Sequence, residues 1–174
     1  YAAWSRGRHA RRRVAAGELG KIRVVQGECV QDWLTTKVEH TGQKQATWRV
    51  DPARAGVGGS LGDIGTHAHN LACFVTGLAV RELAADVSRV VPGRRLDDNA
   101  HILLRFENGA RGMLWSSQVA PGNENGLRLR VYGEKAGLEW QQEHPNQLRF
   151  APVGQVPRVL SRGGPNLGKA APLA

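Results

Sequence analysis

The chain has 174 residues, 41% of them hydrophobic and 22% charged, which is enough for one packed domain of ordinary globular composition. No apolar run approaches the roughly 20 residues of a membrane-spanning helix, and the opening YAAWSRGRHARRR lacks the apolar stretch of a secretory leader. The net charge of +9 comes from 24 basic and 15 acidic residues. They are spread out, apart from Arg6, Arg8, Arg11, Arg12 and Arg13, with no zinc-finger spacing and no aromatic-interleaved basic motif, so a solvated basic helix face is expected rather than a nucleic-acid surface.

Residues 4–16 read as a helix stopped by Gly17 and Gly20. Residues 21–31 (KIRVVQGECVQ) read as a strand, from the β-branched cluster at its start. Residues 32–58 read as an irregular segment. A loop of that length inside a domain is usually functional or disordered, and Trp33 and Trp48 argue against disorder. Residues 60–76 (SLGDIGTHAHNLACFVT) read as a helix with Ser60 as its N-cap and Gly77 as its stop. Leu61, Ile64, Ala68, Leu71 and Phe74 recur at helical spacing and mark its buried stripe.

The second half changes character. Segments 79–90, 98–106, 110–119, 126–133, 137–143 and 147–153 read as strands, separated by turn signals such as Pro92-Gly93, Asn108-Gly109 and Pro121-Gly122. Asn-Gly in FENGARG tolerates the positive φ of a tight hairpin turn. Short connections imply an antiparallel meander. The expected fold class is therefore α+β, with helices on one face of a predominantly antiparallel open sheet and the other face solvated or paired with another subunit. Residues 1–153 form this domain; the Gly/Pro/Ala-rich 154–174 reads as a flexible tail or a truncated continuation. Cys29 and Cys73 stand in apolar settings and read as free thiols, which implies a reducing, cytoplasmic location.

The stretch that bears chemistry is GGSLGDIGTH at 58–67. Asp63 and His67 are four residues apart, so a helix places them on one face, close enough to share a ligand. A histidine exchanges protons near neutral pH, and a neighbouring carboxylate orients a hydroxyl and stabilises the imidazolium. The same spacing also fits an ordinary helix start, with Asp63 favoured by the helix dipole and His67 a hydrogen-bonded core residue. His69 lies about 200° around a helix from His67, which speaks against a three-ligand metal site.

Three stretches resemble the glucose–fructose oxidoreductase and inositol dehydrogenase family (Gfo/Idh/MocA): AAGELGKIRVVQGE at 15–28, GGSLGDIGTHAHNLACFVTG at 58–77 with its Asp-x-x-x-His helix, and the strands that include ILLRFENGARGMLWSSQ at 102–118. The resemblance spans residues 1 to about 153. It implies the substrate-side domain of an NAD(P)-dependent oxidoreductase acting on a sugar or polyol CH–OH group. His67 would be the acid/base, and Asp63 would hydrogen-bond substrate and histidine. Trp48 and Arg49 of the irregular segment would line the substrate pocket, with Gln31 a weaker candidate. Arg49 fits a surface ion pair equally well, and Trp48 fits the core equally well. NAD or NADP would be bound mainly by a preceding Rossmann domain. GVGGSLGDIG at 56–65 is not G-x-G-x-x-G, because Leu61 replaces the third glycine and no apolar strand precedes it. A Glu-Lys-Pro motif, whose lysine joins the family's catalytic group, is also lacking. The 174 residues alone are therefore expected to bind dinucleotide poorly and turn over nothing. The family's open sheet face commonly mediates oligomer contacts, so a homo-oligomer is expected. The alternative is a non-catalytic sugar-binding or oligomerisation module without a cofactor.

Overall fold

The first helix, α1 (Ser5–Ala15), ends where Gly17 adopts φ 72°. The computed structural model describes residues 5–162. The last part of the expected tail, residues 163–174, lies outside the described residues, as does residue 4 of the expected first helix. β1 (Ile22–Val30) follows, then a single 3-10 turn (Val38–His40) and two short helices, α2 (Lys44–Arg49) and α3 (Pro52–Ala55). The segment expected to be irregular thus holds three helical turns, each too short for apolar periodicity to show. A π-helical turn (Leu61–Gly65) leads into α4 (Thr66–Thr76), which stops at Gly77 with φ 69°.

Seven strands complete the described residues: β2 (Val80–Ser88), β3 (Asn99–Phe106), β4 (Arg111–Ser117), β5 (Gly126–Gly133), β6 (Ala136–Gln141), β7 (Gln147–Pro152) and β8 (Arg158–Ser161). They form one eight-stranded sheet in the order β2-β3-β4-β1-β5-β6-β7-β8. All neighbours are antiparallel except β1 and β4, which pair in parallel from Val24↔Arg111 to Val30↔Ser117. The expected meander is therefore two meanders with β1 inserted between them. The crossover through α4 carries the chain from β1 past two strand positions, and β4 returns alongside β1 in the same direction.

Two local expectations change. At Asn108-Gly109 only Gly109 takes a positive φ (87°), and Gly109 N–H donates to the Phe106 carbonyl, so the hairpin is a longer loop with a left-handed glycine rather than a two-residue turn. Within residues 154–174, Arg158–Ser161 pair with β7 from Phe150↔Arg158 to Gln147↔Ser161 and bury Leu160.

α1 and α4 cover one sheet face. α4 packs on β1 and β5, and α1 packs on α4, β6 and β7; the core includes Leu71, Val75, Leu19, Val25, Leu127, Leu129 and Val131, all at most 1% exposed. Gly27 makes room for a neighbouring strand: a Cβ there would sit 2.7 Å from the Leu114 side chain of β4, with Ala68 of α4 at ordinary contact distance. Leu103 and Met113 point to the opposite face, where Val24 and Tyr132 also lie exposed around an ion network of Glu28, Glu139, Arg128 and Arg130. Among the described residues no helix is long and apolar enough to cross a membrane.

The basic α1 carries a pH-sensitive feature. His9 lies between Arg6 (Nη1–Nδ1 3.0 Å) and Arg13 (Nε–Nε2 3.1 Å), and burial together with Arg13, Arg6 and Arg12 pushes its pKa down to about 4. A neutral imidazole has one lone pair, so only one of these contacts is a hydrogen bond, and protonation abolishes it. The folded-state pKa lies below the unfolded value of 6.5. The stabilisation is therefore present above about pH 6.5 and is lost as pH falls toward 4, by about 1–2 kcal/mol after allowing for solvent screening. Urea unfolding at pH 7 and pH 4.5 should show this loss, and His9→Phe should remove its share of the difference. An unchanged pH dependence in that variant would refute the assignment.

Candidate functional site

Asp63 and His67 both line one open cleft of about 490 Å³ on the helical side of the sheet, with Gln31, Trp33, Gln43, Gln45, Arg49, Ile64 and Glu124. Asp63 lies in the π-helical turn and His67 in the first turn of α4. A turn closed by i→i+5 bonds holds more residues than an α turn, so residues four apart come closer to eclipsing, and such turns recur at functional sites. His67 is half-buried, whereas its neighbours Ile64 and Ala68 are buried in the core.

The turn is capped from a distance, and Ser60 is not the cap. Ser60 has helical φ/ψ (−53°, −43°) with no side-chain capping bond. Its Oγ lies 2.7 Å from Ser116 Oγ, whose proton goes to the Ser60 carbonyl at 2.9 Å. The cap is Asp97: Gly59 N–H donates to Oδ1 (2.6 Å), Leu61 N–H to Oδ2 (2.7 Å) and Ser60 N–H to the Asp97 carbonyl (2.8 Å). Only glycine fits at position 59, where a Cβ would stand 2.0 Å from the Asp97 carbonyl oxygen. Nothing near Ser60 in the sequence announces a cap 37 positions away.

Asp63 accepts two hydrogen bonds on the same oxygen. Arg49 Nε donates to Oδ2 at 3.0 Å and Gln118 Nε2 at 2.8 Å; Oδ1 takes neither. Arg49 also donates to Gln45 through Nη1 and stacks its guanidinium 4.2 Å from the Trp48 ring centroid, with Trp33 at 5.9 Å. Of the residues expected at the pocket, His67, Asp63, Arg49 and Gln31 line the cleft. Trp48 does not; it touches Arg49 from behind, and Trp33 stands at the cleft instead. Gln31 is held in a chain in which Trp33 Nε1–H donates to its Oε1 (2.9 Å) and its Nε2 donates to Asn125 Oδ1 (3.4 Å).

The irregular segment that presents Arg49 is tied down by Arg94. This guanidinium, whose side chain is 3% exposed, donates to Glu39 (3.4 Å), Asp98 (3.3 Å) and the Thr36 carbonyl (2.9 Å). Burial alone would raise the Glu39 carboxyl, but its backbone hydrogen bond and Arg94 outweigh it and hold it below the usual range. Cys29, beneath the site on β1, has its thiol pushed up to about 12, first by burial and then by the Asp63 charge, so it stays protonated and unreactive. His69 is exposed and approaches Cys73 Sγ at 3.5 Å. Among the described residues there is no cluster of three metal-ligating side chains.

Comparison with known proteins places this geometry. Residues 8–139 match the model of the GFO/IDH/MocA C-terminal domain. An uncharacterized oxidoreductase of Bacillus subtilis, YfiI, is 36% identical over 156 residues, which is 88% of this chain and 40% of that protein. An inositol dehydrogenase homolog from Azotobacter vinelandii, solved with NAD+, is 41% identical with a TM-score of 0.90 over 95% of this chain and 43% of its own; its complex with NADH and myo-inositol gives 38%, 0.85, 95% and 42%. The levoglucosan dehydrogenase of Pseudarthrobacter phenanthrenivorans is 25% identical over 82% of this chain and 40% of its own length, and a levoglucosan dehydrogenase solved with NADH and levoglucosan is 26% identical, with a TM-score of 0.78 over 88% of this chain and 43% of its own. The chain spans about 40% of the length of these curated relatives. With its helices on one face of an open, mostly antiparallel sheet and its Asp-x-x-x-His turn at a cleft, the chain belongs to the Gfo/Idh/MocA family, of which it is a C-terminal domain.

Proposed function

We propose that this chain is the substrate side of an NAD(P)-dependent oxidoreductase that acts on a CH–OH group of a neutral sugar or polyol. The observation that carries the reading is the shared cleft, where an imidazole and a carboxylate whose Oδ1 takes neither the Arg49 nor the Gln118 bond stand with amide side chains. His67 takes or returns the hydroxyl proton, and Asp63 Oδ1 accepts a substrate hydroxyl. Gln31, Gln43 and Gln45 offer the paired donors and acceptors that hydroxyls need.

Neutrality of the substrate follows from Arg49. Its Nε and Nη1 are engaged by Asp63 and Gln45 and its face by Trp48, so its charge is already answered, and Glu124 adds a second negative charge to the wall. An anionic group entering here would have to displace Asp63 from Arg49. In this reading Arg49, at the cleft wall, acts by holding Asp63.

The described residues do not fit the phosphates of a dinucleotide. The glycine-rich turn before α4 has its Gly59 and Leu61 N–H groups filled by the Asp97 carboxylate, which leaves no anion cradle. The proposal places only substrate binding and proton handling on these residues. The exposed Val24, Leu103, Met113 and Tyr132 around the ion network support a homo-oligomer formed through the open face. The two free thiols support a reducing, cytoplasmic setting.

The test is turnover by the full-length gene product with NAD+ and NADP+ against myo-inositol, levoglucosan, glucuronate and glucose 6-phosphate. Neutral compounds should exceed the anionic ones in kcat/KM by about tenfold or more, because an anion would break the Arg49–Asp63 pair. Preference for an anionic substrate would overturn the neutral-substrate reading. Absence of any nicotinamide-linked turnover would favour the non-catalytic sugar-binding or oligomerisation module.

A further inference from the structure

We infer that Gln118 is a positioning residue, whose side-chain amide fixes the Asp63 carboxylate so that Oδ1 is the oxygen presented to substrate. The inference rests on the proposed role of Asp63 and adds a residue to it that lies outside the Asp-x-x-x-His turn. Gln118 follows the last residue of β4 and is 2% exposed, a buried polar side chain on the core-facing side of the strand in register with Leu114 and Ser116. Its Nε2 lies 2.8 Å from Asp63 Oδ2. An ionised carboxylate only accepts, so the orientation of the amide is dictated: NH2 toward Asp63.

Gln118 is itself held at both main-chain groups. Its N–H donates to the Asp98 carbonyl (2.9 Å), and its carbonyl accepts from Leu34 N–H (3.0 Å). Asp98 is the buried partner of Arg94, and Leu34 opens the segment that carries Arg49. The two donors that converge on Oδ2 thus come from different supports: Arg49 from the exposed cleft wall and Gln118 from the rigid end of a central strand. Arg49 is solvent-accessible on a short helix, with its side chain 25% exposed, whereas Gln118 cannot swing away without opening the core. The geometry therefore assigns to Gln118 the fixed donor and to Arg49 the adjustable one. A hydrogen bond to a carboxylate also steadies its charged form, and replacing that donor by a second carboxylate would favour a shared proton.

Two readouts test the assignment. In the 1H–15N spectrum of the protein, the Gln118 side-chain amide signal should move as pH is lowered through the carboxylate range, and should stop moving in Asp63→Asn. In turnover by the full-length gene product with myo-inositol and NAD+, Gln118→Met, which keeps the side-chain volume and removes the donor, should lower kcat about 10–100-fold with a smaller change in KM. Gln118→Glu should move the acid limb of the pH–rate profile up by about one unit or more. A side-chain amide indifferent to pH and to Asp63→Asn overturns the inference, as does a Gln118→Met enzyme with unchanged kcat. A folded Gln118→Met variant that loses turnover without any pH-profile change in Gln118→Glu also overturns it, since a packing role would give that pattern. If the amide titrates with Asp63 but the wild-type protein turns over none of the polyols tried, the positioning bond stands and the proposed oxidoreductase function fails.

Discussion

His67→Ala should lower kcat of the full-length gene product by about 10²–10⁴-fold while leaving dinucleotide affinity within about a factor of two. The magnitude is that of a general acid–base group removed from its transition state. The selectivity follows from location: His67 lies on the cleft wall of α4, and the glycine-rich turn before α4 has its Gly59 and Leu61 N–H groups taken by Asp97. Stability should change little, because the imidazole is half-buried at an open cleft and its loss leaves no closed cavity. Steady-state kinetics, dinucleotide titration and thermal unfolding on the same sample separate these effects. Unchanged turnover would remove the acid/base assignment. A parallel loss of kcat and of folded protein would mean that His67 serves packing instead. Asp63→Asn is the natural companion: it keeps an oxygen for Gln118 and Arg49 but weakens the acceptor offered to the substrate hydroxyl, so its kcat should fall by less than that of His67→Ala.

What the sequence disclosed and what it hid divide along the length scale of the interactions. The Asp63–His67 spacing, the stops at Gly17 and Gly77 and the period-2 strands are written within a few residues of themselves, and all six strand expectations from 79 to 153 have observed counterparts differing by one or two residues at most ends. Asp97 capping the turn before α4, Gln118 reaching Asp63 and Arg94 reaching Glu39 each join residues 36 to 55 positions apart, and no local pattern encodes them. The parallel placement of β1 is hidden in the same way, since its partner lies across an entire crossover. Gln118 did leave a trace: after Leu114 and Ser116 it continues the inward side of β4 as a polar residue where an apolar one belongs, the signature of a buried group with a partner to find. Ser60 shows the converse, a residue of the right type at the right place whose hydroxyl had a better use across the core.

Arg94→Ala should destabilise the folded chain by about 3–5 kcal/mol at neutral pH, the range for removing one partner of a buried ion pair. The loss leaves Asp98, 1% exposed at its side chain, and Glu39, 10% exposed, without their shared cation, while the Thr36 carbonyl loses its donor. For a chain of this size that amounts to a fall in Tm of roughly 6–20 °C. The pH dependence identifies the cause. Arg94 and a backbone hydrogen bond hold the Glu39 carboxyl below its ordinary value against the opposing effect of burial, so this stabilisation is present above that value and disappears as pH falls through the folded-state pKa. The difference between wild type and Arg94→Ala should therefore be largest near pH 7 and should shrink as pH falls through the folded-state pKa of Glu39, below which it is protonated in both. Adding Glu39→Gln to Arg94→Ala should recover part of the loss at pH 7 by removing one stranded charge. Since Thr36 and Glu39 precede α2, the same substitution should loosen the helix that presents Arg49 and raise KM for the polyol more than it lowers kcat, whereas an Arg94→Ala protein of wild-type Tm would show that the guanidinium is not what fastens this segment to the sheet.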